Sequence, residues 1–136
     1  MRPVIFLTIL VLLFSGPAHA QGKLKVFVLA GQSNMEGAGQ IRINPKNKNG
    51  GKGSLEYLVK DPGTAKRFAH TVNKDGSWRV RDDVWIWYLG RKGGLSVGYG
   101  AKTRLIGPEF QIGHVLGDAH KEQVLLIKTA WGGKTL

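Results

Sequence analysis

The sequence contains no cysteine, and this absence removes several kinds of chemistry at once. A disulfide framework, a thiolate zinc site, a lipid-modified cysteine and a cysteine nucleophile are all excluded. Acidic residues are also scarce, since 9 Asp and Glu stand against 20 Lys and Arg and the net charge is +11. The histidines and carboxylates lack metal-ligating spacing, so we expect no metal site and no cofactor.

Aromatic residues are missing from the most basic part of the chain. The stretch RINPKNKNGGKG, residues 42–53, is rich in Gly and Asn and has no aromatic side chain on which a base could stack. This composition favours a solvated loop over a phosphate-binding surface. We therefore expect no nucleic-acid partner, while polyanionic extracellular polymers stay an open alternative.

The N-terminus carries the pattern of an export signal. Arg2 precedes the apolar run VIFLTILVLLF, and Ala18-His19-Ala20 forms a small-x-small cleavage site. The run is too short to span a bilayer. We expect a signal peptide at residues 1–20, no membrane span after its cleavage, and a secreted or periplasmic protein of net charge +10. No obligate protein partner is evident.

Two continuous apolar runs predict strands buried on both faces. These are KVFVLAG, residues 25–31, and QVLLIKTA, residues 123–130. A helix is predicted before the second run, because Pro108 suits the first helical position and the apolar residues Ile112, Val115, Leu116 and Ala119 follow helical spacing. Strand, helix and strand in this order predict a parallel α/β sheet, with the first run as a central strand.

The segment of about residues 41–105 interrupts this α/β order with turn signals. Its one convincing strand is VWIWYLG, in which Trp85 and Trp87 share a face and Val84, Ile86 and Tyr88 share the other. Asp75-Gly76 predicts the turn of a hairpin that includes this strand. We interpret the segment as an insertion in the domain formed by residues 21–136.

Ser33 lies where the first strand is predicted to end and a helix to begin. A serine at the carboxyl end of a parallel strand occupies the ligand-binding edge of an open α/β sheet. A serine at the start of a helix is also a preferred N-cap. Position alone leaves the nucleophile and the cap as equal alternatives.

The residues around Ser33 resemble the first block of the SGNH hydrolase superfamily. VFVLAGQSNMEGAG is similar to the GQSNM block of the branch that contains sialate O-acetylesterase-like proteins and family 6 carbohydrate esterases. RLIGPEF and LLIKTAWGGKTL resemble the GPE helix start and the strand ending in W-G-G of the same branch. The resemblance implies a flavodoxin-like three-layer α/β/α fold, the SGNH hydrolase fold, here with a hairpin-containing insertion and truncated at its C-terminal side.

The resemblance also implies roles for individual residues. Ser33 matches the nucleophile and one oxyanion donor, and Gly133, or else Gly132, matches the glycine that supplies a second donor. Gln32 and Asn34 lie inside the motif and are expected to position the loop at the substrate. Trp131 and Glu109 are the further candidates to border it. The implied activity is metal-free removal of O-acetyl groups from carbohydrate, with sialic acid, xylan and other acetylated glycans as open alternatives.

The family's D-x-x-H block, which supplies the general-base histidine and its aspartate, is absent from this sequence. His114 and His120 fall on the predicted helix, His114 as a packed residue and His120 near the helix C-terminus, and His70 lies in the insertion. We therefore expect an incomplete chain with little activity of its own. The alternative is a non-catalytic carbohydrate-binding or remnant fragment of the family.

Overall fold

A four-stranded mixed sheet organises residues 22–133, the part of the chain that this computed structural model describes. Its strands are β1 (Leu24–Gly31), β3 (Arg81–Tyr88), β4 (Arg91–Leu95) and β6 (Gln123–Ala130). Their spatial order is β1-β6-β3-β4, and β6 is parallel to both β1 and β3 while β4 is antiparallel to β3. A separate antiparallel pair joins β2 (Gly39–Gln40) to β5 (Leu105–Ile106). The mixed α/β class with a parallel β1–β6 pair is thereby confirmed.

Within residues 22–133, four α-helices accompany the sheet. They are α1 (Ser33–Glu36), α2 (Leu55–Lys60), α3 (Ala65–Phe68), which leads into a 3₁₀ turn (Ala69–Thr71), and α4 (Pro108–Ala119). Helix α4 packs across β3 and β6. No helix within residues 22–133 has both the length and the apolar character needed to cross a membrane. The predicted signal peptide lies outside the described residues.

The core lies between α4 and one face of the sheet. Strand residues alternate in burial, as expected for a sheet covered on one side. The buried core cluster is formed by apolar side chains from all four strands: Leu29, Val84, Ile86, Leu95, Val124 and Leu126. The predicted division of β3 into two faces is confirmed, because Val84, Ile86 and Tyr88 are buried and both of its tryptophans are exposed.

The opposite face of the sheet is open among the described residues. Val28 on β1 is 63% exposed and Trp87 on β3 is 57% exposed, and Val26 and Trp85 on the same face are about half exposed. The prediction of β1 as a central strand buried on both faces is therefore wrong for residues 22–133, within which β1 is an edge strand paired with β6 alone. We call this surface the open face. The three-layer arrangement stays a prediction.

Helix α4 begins at Pro108, as predicted, and its most deeply buried side is not the one that carries Val115. Its buried residues include Gly113, His114 and Gly117, whereas Val115 is 57% exposed. A Cβ added to Gly113 would lie 2.2 Å from Leu95 Cδ2. The glycines thus allow a close approach that larger side chains would prevent, while Ile112 and Leu116 pack against the core as partly buried residues.

The hairpin forms at a different turn from the one predicted. Asp75-Gly76 closes a tight turn with only a single bridge, between Val72 and Trp78. The hairpin joins β3 to β4 through Leu89 and Gly90, which have φ values of 47° and 77°. Two successive positive φ angles suit the twist of a two-residue hairpin, although Leu is an unusual residue there.

The segment of about residues 41–105 begins and ends at adjacent points. Gly39 pairs with Ile106 and Gln40 with Leu105, so the two ends of the segment are held side by side. Between them the chain supplies β3 and β4 to the main sheet. The segment is therefore part of the same core as β1 and β6, and its description as an insertion stays a prediction.

Candidate active site

Ser33 lies at the carboxyl end of β1 as the first residue of α1. Gln32 makes the turn between strand and helix with φ −114° and ψ −143°, and its side chain forms no capping hydrogen bond. Gln32, and not Ser33, is thus the N-cap of α1, and the prediction of Ser33 as a capping residue is wrong. Its side chain is exposed, and no residue among 22–133 hydrogen-bonds to its hydroxyl. The hydroxyl is thus accessible from solvent at the ligand-binding edge of the sheet.

The loop that follows β6 lies beside this serine. In the parallel register Gly31 is paired with Ala130, so the residues after each strand emerge next to one another. A Cβ added to Gly132 would lie 3.9 Å from Ser33 Cβ and 2.6 Å from Glu36 Oε2. Of the two glycines proposed as oxyanion donors, Gly132 is the one whose added Cβ would point toward Ser33.

Gly133 differs from Gly132 in its backbone conformation. Its φ is +70°, in the left-handed region that favours glycine, and an added Cβ would meet nothing within 4 Å. Trp131 is 49% exposed, and its backbone N–H reaches Gly31 O at 3.4 Å, which is a long hydrogen bond. We call residues 131–133 the glycine loop. The assignment of oxyanion donors within it stays a prediction.

The four residues proposed to border the substrate do not share one environment. Gln32, Asn34 and Trp131 are exposed around Ser33. Glu109, at the start of α4, is fully buried, so its prediction as a residue at the substrate surface is wrong. Its carboxylate lies beneath the site, where it forms an ion pair with a lysine of β6.

Lys128 is the partner of Glu109, and the sequence reasoning gave it no role. Both side chains are completely buried, with Lys128 Nζ 2.6 Å from Glu109 Oε2. The ammonium also donates to Glu36 O and to Tyr99 O, both at 2.8 Å. Burial raises the pKa of Glu109 and lowers the pKa of Lys128, and the hydrogen bond between them opposes both shifts. The alternation of Val124, Leu126 and Lys128 on one face of β6 was the signal for this inward lysine.

Tyr88 connects the same cluster to the glycine loop. Its ring centroid is 4.4 Å from Lys128 Nζ, and its hydroxyl donates to Ala130 O at 2.9 Å. Burial raises the pKa of Tyr88, so the hydroxyl stays protonated at neutral pH. The Lys128 ammonium therefore bonds the end of α1 directly and contacts Tyr88, which bonds the end of β6.

The described histidines lie elsewhere. His114 is buried in α4, as predicted, with Phe110 and His70 packed edge-on against its ring. His70 Nε2 is 3.1 Å from Gln111 Oε1, and His120 is the C-cap of α4 with its ring 5.6 Å from that of Phe27. The structure thus brings Ser33, Gly132 and Trp131 together but joins none of these three imidazoles to the serine.

A cavity of about 250 Å³ opens between α2, α3 and the start of α4. Its walls are mainly apolar and include Leu55, Leu58, Phe68, Ile106 and Phe110. Neither Ser33 nor the glycine loop lines this cavity. The cavity is therefore separate from the exposed serine and its neighbouring loop.

Comparison with known proteins identifies one family. A family model described as carbohydrate esterase, sialic acid-specific acetylesterase, matches residues 23–136. This match includes the serine turn, the Lys128–Glu109 pair and the glycine loop. No curated protein and no solved structure matches the chain.

Proposed function

The chain belongs to the carbohydrate esterase family of sialic acid-specific acetylesterases, and from that premise we propose a serine esterase that removes O-acetyl groups from carbohydrate. Ser33 is the proposed nucleophile. The observation that carries the proposal is the exposed Ser33 side chain at the carboxyl end of a parallel strand, next to Gly132 of the neighbouring strand's loop. The proposal includes the three-layer SGNH fold for the complete domain, and export by the predicted leader.

The chemistry follows from the positions of the serine and the loop. Ser33 Oγ attacks the acetyl carbonyl carbon, the sugar oxygen leaves with a proton, and water then hydrolyses the acetyl-serine to acetate. The negative charge on the carbonyl oxygen requires backbone N–H donors aimed at it. We assign these donors to Ser33 and to a glycine of the glycine loop.

The proton acceptor is assigned to a histidine outside residues 22–133. The three described imidazoles make their contacts with Gln111, Phe110 and Phe27 rather than with Ser33. A serine hydroxyl is a weak nucleophile without a base, and loss of a triad member lowers the rate by a factor of about 10⁴. The proposal therefore expects low activity from residues 22–133 alone.

O-acetylated sialic acid is the substrate that the family description favours. The net charge of +11 supports this choice, because basic residues attract the carboxylate of such a sugar. Acetylated xylan, a neutral glycan, is the alternative. Parallel assays with acetylated sialic acid and with acetylxylan distinguish the two substrates by the acetate released.

The test of the mechanism is the Ser33→Ala variant. We expect it to abolish hydrolysis of a chromogenic acetyl ester, because no other group supplies the attacking oxygen. His120→Gln is the matched control, since His120 caps α4 away from the serine, and it should keep the parental rate. Hydrolysis by Ser33→Ala at the parental rate would remove Ser33 as the nucleophile.

A second candidate is a carbohydrate-binding protein without catalysis. It is favoured by the absence, within residues 22–133, of any imidazole or carboxylate hydrogen-bonded to Ser33. This candidate expects glycan binding that Ser33→Ala leaves unchanged, with no acetate released at high protein concentration. Release of acetate by the parent that depends on Ser33 decides against it.

A further inference from the structure

We propose that Lys128 is a positioning residue: its buried ammonium, held by Glu109, fixes α1 and thereby places Ser33 against the glycine loop. The inference rests on the proposed function only in taking Ser33 as the nucleophile. Lys128 does not reach the surface, since its side chain is completely buried. Its action on the site must therefore pass through the groups that it binds.

The hydrogen-bonding capacity of the ammonium is fully used. An ammonium has three N–H donors. Those of Lys128 reach Glu36 O at 2.8 Å, Tyr99 O at 2.8 Å and Glu109 Oε2 at 2.6 Å. These acceptors belong to α1, to the loop before β5 and to α4, so one atom joins three separate parts of the chain.

Helix α1 needs such an external contact. It has four residues, and the bonds that close it are Glu36 N–H to Gln32 O at 2.8 Å and Gly37 N–H to Ser33 O at 3.0 Å. A helix this short is not stable by itself. The carbonyl groups of its last turn also lack partners inside the helix, and Lys128 supplies one to Glu36. The bond therefore acts on the turn that carries Ser33.

Glu109 is itself held in place where the start of α4 meets the end of α1. Glu109 Oε1 accepts a hydrogen bond from Gly107 N–H at 2.7 Å. The backbone of Gly107 touches that of Gly37, where an added Cβ would lie 2.1 Å from Gly107 Cα. The carboxylate thus orders the start of α4 and holds the ammonium under the end of α1 together.

The glycine loop, the other part of the site, is also linked to the Lys128 ammonium. Tyr88, whose ring lies over the ammonium, bonds Ala130 O directly before the glycine loop. Ser33 and Gly132 are thus placed relative to one another through Lys128, although neither touches it. A residue that served only global stability would be expected to affect every part of the core equally.

The experiment compares local and global opening by amide hydrogen exchange in the Lys128→Met, Glu109→Gln double variant. This pair of changes removes both charges, and the glutamine oxygen can still accept from Gly107 N–H. We expect exchange at Glu36 and Gly37 to accelerate by about tenfold relative to exchange at Val124 and Leu126 in β6. An unchanged ratio, whether all four amides accelerate together or none does, would overturn the proposal.

The matched control is Arg81→Met. Arg81 is also largely buried and donates to His114 O at 3.1 Å and to Asp118 Oδ1 at 2.6 Å, so it fastens the other end of α4. We expect this variant to leave the exchange ratio as it is in the parent. If the double variant does not fold, Glu109→Gln alone carries the test, with an expected rise in the ratio of about threefold and an unchanged ratio as the contrary result.

The esterase assay separates this proposal from the proposed function. With an active parent, we expect the double variant to lower kcat by about tenfold while KM stays within about twofold, because misplacing a nucleophile affects the chemical step. A raised exchange ratio together with ester hydrolysis by Ser33→Ala at the parental rate removes Ser33 as the nucleophile and leaves the positioning of α1 by Lys128. Ser33-dependent ester hydrolysis by the parent with an unchanged exchange ratio keeps the proposed function and overturns the positioning role.

Discussion

His114 is a buried titratable side chain whose second ring nitrogen has no described partner. The residue is 2% exposed, and Nε2 makes no hydrogen bond among the described residues. Burial, and to a lesser extent the neighbouring His70, Arg81 and Arg79, lowers the pKa of His114 from 6.5 to about 4, while Asp118 opposes the shift. The folded protein therefore keeps this imidazole neutral.

The neutral imidazole predicts a loss of stability in acid. Below pH 6.5 the unfolded chain binds a proton on His114 that the folded chain binds only near pH 4. The free energy of unfolding should therefore fall as the pH decreases from 6.5 to 4, by about 3 kcal/mol at most. Urea unfolding at pH 7 and pH 4.5 measures this, and His114→Leu should lose that part of the pH dependence. An unaltered pH dependence in His114→Leu would contradict the assignment.

At the scale of the element, α4 depends on the close approach that its glycines permit. Gly113→Ala would place a methyl group 2.2 Å from Leu95 Cδ2 and 3.1 Å from Leu126 Cδ1. Alanine favours a helix by about 1 kcal/mol relative to glycine, but overpacking a core costs about 1–3 kcal/mol. We expect a net decrease in the free energy of unfolding of about 1 kcal/mol.

The matched change on the same helix is Val115→Ala. Val115 faces solvent, so its truncation changes helix propensity with little loss of packing and should leave stability within about 0.5 kcal/mol. Chemical denaturation of both variants measures the difference between them. A Gly113→Ala variant more stable than the parent would show that the helix moves away from β4 at no cost.

The sequence predicts the elements better than it predicts their surroundings. Apolar runs and Pro108 located β1, β6 and α4, because strands and helix starts depend on local residues. The hairpin was misplaced because Leu89 is an unusual residue for such a turn, and the close packing at Gly113 of α4 was missed because glycine carries no apolar signal. Such features depend on partners that are distant in the chain.

Some residues of the candidate site could likewise be predicted from the sequence and others could not. Ser33 and Gly132 were found from short motifs that each follow a strand. Lys128 and Tyr88 were missed, since a buried lysine is rare and its three acceptors come from residues far apart in the sequence. Motifs therefore locate the groups at the surface of the site, and the three-dimensional structure is needed to find those that hold them.

The whole molecule presents an apolar surface, the open face, whose exposure has a measurable consequence. Val28 is paired with Ile127, which is paired with Trp87, so apolar side chains run across three strands. Extended apolar patches on soluble proteins promote association. We expect residues 22–133 to associate with increasing concentration, and Val28→Lys to reduce that association in sedimentation velocity.

A valine on another surface provides the control. Val115→Lys adds the same charge at a residue of similar exposure, 57% against 63% for Val28, but on the outer side of α4. This variant should associate as the parent does. An equal reduction by both variants would mean that net charge, and not the open face, governs association.

The central position of β6 determines when the sheet can assemble. Strand β6 separates β1 from β3, and its pairing of Gln123 with Leu24 joins positions far apart in the chain. Until β6 has been synthesised, β1 has no neighbour in this sheet and β3 has only its hairpin partner. Long-range pairing of this kind slows folding. The turn that carries Ser33 at the end of β1 is thus set in place only after nearly all of the described chain has been made.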